Sequence, residues 1–181
     1  MAVLAATVGQ LLLATVATSL EQFNGKAFGA RLIAYPVLML VAPAVWWLVH
    51  RDRRARGERE VPWGGFTLIM VPFLIDVTGN SLDLYDSVSW WDDLNHLVNW
   101  FFLSAGLGLL ISGRVAPPWA VLLLVTGLGA LLAIGWELGE YLTFIRQGTE
   151  LDTAYTDTLG DEALGTLGAF LAGLLVARRR A

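Results

Sequence analysis

The chain has 181 residues, 56% of them hydrophobic, with no cysteine and a formal charge of −4. The absent thiols exclude disulfides, thiolate metal sites and cysteine nucleophiles, and the apolar excess leaves little room for a separate soluble domain. No nucleic-acid partner is expected.

Six apolar segments follow in chain order, at 2–20, 32–50, 63–77, 94–113, 119–141 and 163–177. Most approach the roughly 20 residues needed to cross about 30 Å of hydrocarbon. Lipid offers no partner for backbone N–H and C=O groups, so such segments are helices. The expected fold class is all-α, a single polytopic membrane bundle of about six transmembrane helices covering residues 1–181. The first segment lacks the basic start of a cleaved signal peptide and is read as a span. The third is short, and glycines interrupt the last. Pro36 and Pro43 fall in the second, and Pro72 lies four residues before Asp76 in the third, where a kink would turn that carboxylate toward the bundle.

The loop 51–60 carries Arg51, Arg53, Arg54, Arg56 and Arg59, and short basic loops stay cytoplasmic. Six crossings then put both termini inside, together with Arg114 and Arg178-Arg179-Arg180. Only Lys26, Arg31 and Arg146 fall outside, against 13 of the 16 carboxylates. Trp46, Trp47, Trp63, Trp90, Trp91, Trp119 and Trp136 sit near span ends and are read as an interfacial belt. His50 is read as interfacial, and Asp83 and Asp86 as solvated loop carboxylates.

Three polar motifs mark the outer ends of three spans. Trp90-Trp91-Asp92-Asp93-Leu94-Asn95-His96 opens the fourth, with Asp92 and His96 on one face and Asn99 one turn on. Trp136-Glu137-Leu138-Gly139-Glu140-Tyr141 closes the fifth. Tyr155-Thr156-Asp157-Thr158-Leu159-Gly160-Asp161-Glu162 opens the sixth, above a ridge of Gly165, Ala169 and Gly173 that permits close helix contact; Gly135 and Gly139 suggest a similar surface beside Glu137. Taken singly, Asp93, Asp157 or Asp161 reads as a helix N-cap. Glu137 does not, because it sits in an apolar stretch near a helix C-terminus, where the dipole disfavours an anion. Together the carboxylates need a cation or shared protons. Three readings stand open for them: a divalent-metal site, a proton-sharing carboxylate–histidine network, and caps with a solvated acidic rim. Oxygen ligands with one imidazole suit Mg²⁺, Mn²⁺, Ca²⁺ or Zn²⁺.

Asp92-x-x-x-His96, Trp136-Glu137, and Asp157-Thr158-x-x-Asp161 followed by Leu167-Gly168-Ala169 resemble the YjdF-like family of bacterial inner-membrane proteins, itself similar to the VanZ-like group. The likeness covers roughly residues 70–173, and departs where Tyr155-Thr156 stands in place of a tryptophan directly before Asp157. It implies a compact helical bundle in the bacterial inner membrane, with Asp92, His96, Glu137, Asp157 and Asp161 as its polar residues, and it brings no reaction or substrate.

Read as an enzyme, the chain would hold a divalent metal on Asp92, His96, Glu137, Asp157 and Asp161, with Glu140 as general base and Tyr141 orienting substrate. The substrates within reach would be membrane lipid headgroups or lipid-linked envelope intermediates. The alternatives are an ion- or proton-coupled transporter, which intramembrane carboxylates often mark, and a structural protein whose acidic face docks a partner. Transport ranks lower, because Ser104, Ser112, Thr126 and Thr166 are the few polar residues in the inner halves of the last three spans.

Overall fold

The computed structural model describes residues 1–17, 20–57, 60–115, 117–143, 145–147 and 153–179. Glu58, Arg59, Glu150, Asp152 and Arg180, which enter the charge count above, lie outside them. All regular structure among the described residues is helical, in two compact units, Met1–Ser89 and Trp90–Ala181. The first holds α1 (Ala2–Val16), α2 (Phe28–Ala55), α3 (Trp63–Ser81) and the single turn α4 (Leu84–Ser87). The second holds α5 (Trp91–Ile111), α6 (Pro118–Thr143) and α7 (Ala154–Arg178).

Four helices, α2, α5, α6 and α7, are long and apolar enough to cross a membrane. At 15 residues α1 is about 22 Å long, short of the hydrocarbon thickness. Helix α3 has 19 residues but carries Asp76 and Asn80 in its last two turns, and it is not among the four.

In the first unit α2 divides cleanly. Phe28, Tyr35, Met39, Trp46 and His50 are buried, while Ile33, Val37, Val41, Val45 and Val49 form an exposed apolar stripe at steps of four. Such a continuous stripe would be an aggregation liability in water, and it is what a lipid-facing helix presents. Two residues of the expected boundary turn inward. His50 is buried, stacked on Trp46 with Nδ1 at 2.9 Å from the Trp46 carbonyl. Trp46 itself is buried and packs edge-on to Phe66, so it leaves the belt, whereas Trp47, Trp63, Trp90 and Trp119 stay exposed.

Asp76 does turn inward. Its carboxylate accepts from Tyr35 at 2.6 Å, Tyr85 at 2.9 Å, Asn80 at 3.1 Å and Arg31 at 3.3 Å, joining α2, α3 and α4. With this many donors orphaned by its loss, Asp76→Ala is expected to cost about 2–3 kcal/mol. An unchanged thermal midpoint in detergent would show that the clamp is not structural.

Asp83 and Asp86 are not simply solvated, for Lys26 reaches both, Asp86 at 2.8 Å. Burial pulls the Lys26 ammonium down, but hydrogen bonds to Asp83 and Asp86 outweigh it, and its pKa stands above 10.5. The hydrogen bond from Lys26, opposed by partial burial, holds Asp86 below 3.8. The contribution of Asp86 is therefore complete above its unfolded pKa and lost as pH falls through the lower folded one; that of Lys26 is complete below its unfolded pKa and lost as pH rises through the raised one. The expected effect is small, up to about 1 kcal/mol, since Asp86 is largely exposed. Lys26→Met should flatten the pH dependence of unfolding at both extremes.

The second unit is an up-down-up trio, α6 antiparallel to both α5 and α7, in which every helix buries a stripe at steps of four. In α5 these are His96, Trp100, Ser104 and Gly108; in α6, Glu137, Ala133, Gly129 and Val125; in α7, Asp161, Gly165 and Ala169. The stripes lie in register as layers. A Cβ on Gly165 would meet Trp100 at 2.8 Å and Ala133 at 3.2 Å, one on Gly129 would meet Ala169 and Ser104, and one on Gly108 would meet Val125 at 3.1 Å and Val176 at 3.0 Å. The ridge expected on α7 is thus a packing surface. Gly135 and Gly139 are exposed with nothing within 4 Å, so they form no such surface.

Candidate metal centre

The top layer of this trio is polar. His96 lies five residues into α5, Glu137 six residues from the end of α6, and Asp161 seven residues into α7. At 1.5 Å per residue each is about 8–11 Å from its helix end, so three helices deliver three side chains to one depth. The stripe explains why. Each polar residue is four residues from a packed one, Trp100, Ala133 or Gly165, and inherits its inward direction.

Both helix starts differ from expectation. Helix α5 begins at Trp91 and α7 at Ala154, earlier than residues 94 and 163. The N-caps are Trp90 and Thr153, neither with a side-chain cap hydrogen bond, so Asp93, Asp157 and Asp161 are not caps. Apolar content alone marks where a helix enters hydrocarbon, and these helices run past it because their polar turns are held by one another. Asp92, Asp93 and Asp157 occupy first turns, where a carboxylate complements the dipole.

The imidazole of His96 is 9% exposed and faces carboxylates on both sides. Its Nδ1 is 2.8 Å from Asp161 Oδ1 and 3.7 Å from Asp92 Oδ1, and its Nε2 is 3.4 Å from Glu137 Oε1. Asp161 is 3% and Glu137 6% exposed, whereas the Asp92 side chain is 44% exposed. Despite these short distances, His96 Nδ1 and Glu137 Oε1 are buried without a hydrogen bond of acceptable geometry.

Among the described residues, two sets of side chains bring ligand atoms within 4.8 Å of one another, Asp92 with His96 and Asp161, and His96 with Glu137 and Glu140. Asp157 is in neither set and is exposed at the rim. Glu140 is half-buried beside Glu137, and Tyr141 is 43% exposed. Asn99 donates to Asn95 at 3.2 Å. Sequence reasoning passed over Asn95, which is 4% exposed, and Trp100, which floors the centre; the step of four from His96 to Trp100 was the available signal for the second.

Residues 3–181 match a family described as predicted membrane protein, DUF2238. The chain belongs to that family. The match covers both units, so the polar layer and the Asp76 clamp lie within the family's domain. No curated protein matches the chain, and no solved structure does.

Proposed function

We propose that this membrane protein holds a divalent cation on Asp92, His96 Nδ1 and Asp161, and uses it to bind an oxygen of a lipid headgroup or lipid-linked envelope substrate. The observation that carries the reading is the buried Nδ1 with carboxylate oxygens at 2.8 Å and 3.7 Å and no hydrogen bond of acceptable geometry to either. A nitrogen donating to one acceptor points at it; ligands sharing a cation converge on a point between them.

Charge supports the same reading. Asp161 and Glu137 are buried and Asp92 adjoins them. Even a protonated imidazole leaves this group with two net negative charges in a low-dielectric bundle, and uncompensated buried charge is costly. A nitrogen ligand among carboxylates favours Zn²⁺ or Mn²⁺ over Mg²⁺ or Ca²⁺, which prefer oxygen alone. Three protein ligands leave coordination positions open for water or a headgroup oxygen, which the metal polarises. Glu140, with a ligand atom within 4.8 Å of those of His96 and Glu137, is the carboxylate we assign as base, and Tyr141 stands exposed where a headgroup passes.

A one-sided site is favoured over a path through the bundle. Trp100, Ala133 and Gly165 pack together directly beneath the polar layer, and Ser104, Gly129 and Ala169 beneath those. We infer six crossings with α1 and α3 as shorter spans, both termini cytoplasmic beside the arginine-rich loop, and the polar layer extracytoplasmic in a bacterial inner membrane; the charge asymmetry supports this. We infer the relation to the VanZ-like group from the shared order of a helix-borne His, a later Glu and a late Asp, here His96, Glu137 and Asp157 or Asp161.

Elemental analysis of detergent-purified protein tests the reading. About one Zn or Mn per chain is expected, falling to background in both His96→Ala and Asp161→Ala. Metal-free wild-type protein after exposure to both ions would overturn it.

A further inference from the structure

We infer that Glu137 is a positioning residue, which accepts the Nε2 proton of His96 and so fixes Nδ1 as the nitrogen that meets the cation. The inference rests on the cation site proposed above and assigns the side of the imidazole that site leaves unused.

Glu137 is the last member of the buried stripe of α6. It is 94% buried by its 6% exposure, and Oε1 lacks a hydrogen bond while lying 3.4 Å from Nε2. That is a long contact, which a small rotation of either side chain closes. A neutral imidazole carries one proton, and the nitrogen that keeps it is set by the acceptor it finds. On the Nδ1 side two carboxylates converge; on the Nε2 side Glu137 lies at 3.4 Å, from a different helix. Metal-bound histidines usually donate their other N–H to a carboxylate, which orients the ring and raises its basicity. Glu137 is placed for that role, and α6 thereby enters the site without supplying a ligand.

The test uses full-length protein labelled with ¹⁵N-histidine in detergent micelles, with Zn²⁺ as the probe. The chain has two histidines, and His96→Gln identifies the signals that belong to His96. On adding Zn²⁺, Nδ1 of His96 should move to a metal-bound shift while Nε2 keeps its proton. Glu137→Ala should weaken Zn²⁺ binding about 10- to 100-fold. Glu137→Gln retains an acceptor oxygen and should recover most of that loss, with the Nε2 proton still in place. Zinc found on Nε2, with no recovery in Glu137→Gln, would make Glu137 a ligand and overturn the inference while leaving a cation site. No zinc effect on either nitrogen would overturn the cation site and this inference with it.

Discussion

Gly168→Ala is expected to lower stability by about 2–3 kcal/mol and to weaken metal binding at a centre two helical turns away. A Cβ at Gly168 falls on the Leu97 carbonyl oxygen and within 3.0 Å of the Phe101 nitrogen. These are backbone atoms of α5, so the methyl cannot be accommodated by a side-chain rotation. The helices must separate, and overpacking a close contact typically costs 1–3 kcal/mol. Asp161 lies seven residues before Gly168, and Leu97 follows His96. The same displacement therefore pulls Asp161 away from Nδ1. Gly127→Ala is the control, since nothing lies within 4 Å of its Cβ and the position is exposed. It should be neutral or slightly stabilising, as alanine is the better helix former. Thermal melts in detergent, with and without Zn²⁺, separate the two effects.

Asp161→Asn should abolish metal binding without lowering the stability of the metal-free protein. Without a cation, Asp161 is one of three carboxylates around His96, and neutralising it relieves repulsion. With Zn²⁺ at 100 times its dissociation constant, the wild type should gain about 2.7 kcal/mol by linkage, and the variant none. The proton-sharing reading has the opposite sign. There Asp161 is the partner of an imidazolium, and asparagine would lower the metal-free midpoint while added metal changes neither protein.

The helical class was legible in the sequence because long apolar segments have no other means of satisfying their backbones. The α7 ridge was legible too, since Gly165, Ala169 and Gly173 recur at the step that defines one face. Read the same way, Val121, Val125, Gly129, Ala133 and Glu137 announce that Glu137 is buried. What composition could not show is the division of carboxylates around the ring. Asp92, Asp161 and Glu137 carry the same charge, and only the register of three helices places the first two at Nδ1 and the third at Nε2. Helix starts failed for a related reason: an apolar window stops at Asp92 or Asp161, whereas the helix continues once those groups face one another. The pairing of Lys26 with Asp83 and Asp86 spans more than 50 residues of chain and left no local signal.

The most direct test of the cation site is an optical titration with Co²⁺, a spectroscopic substitute for Zn²⁺, on wild type, Asp92→Asn, His96→Gln and Asp161→Asn. The account predicts ligand-field bands that saturate at one equivalent in the wild type and are lost in His96→Gln and Asp161→Asn. In Asp92→Asn they should appear weakened and shifted, because its partly exposed side chain is the outermost of the three proposed ligands. Bands absent from the wild type, or unchanged in His96→Gln, would contradict it.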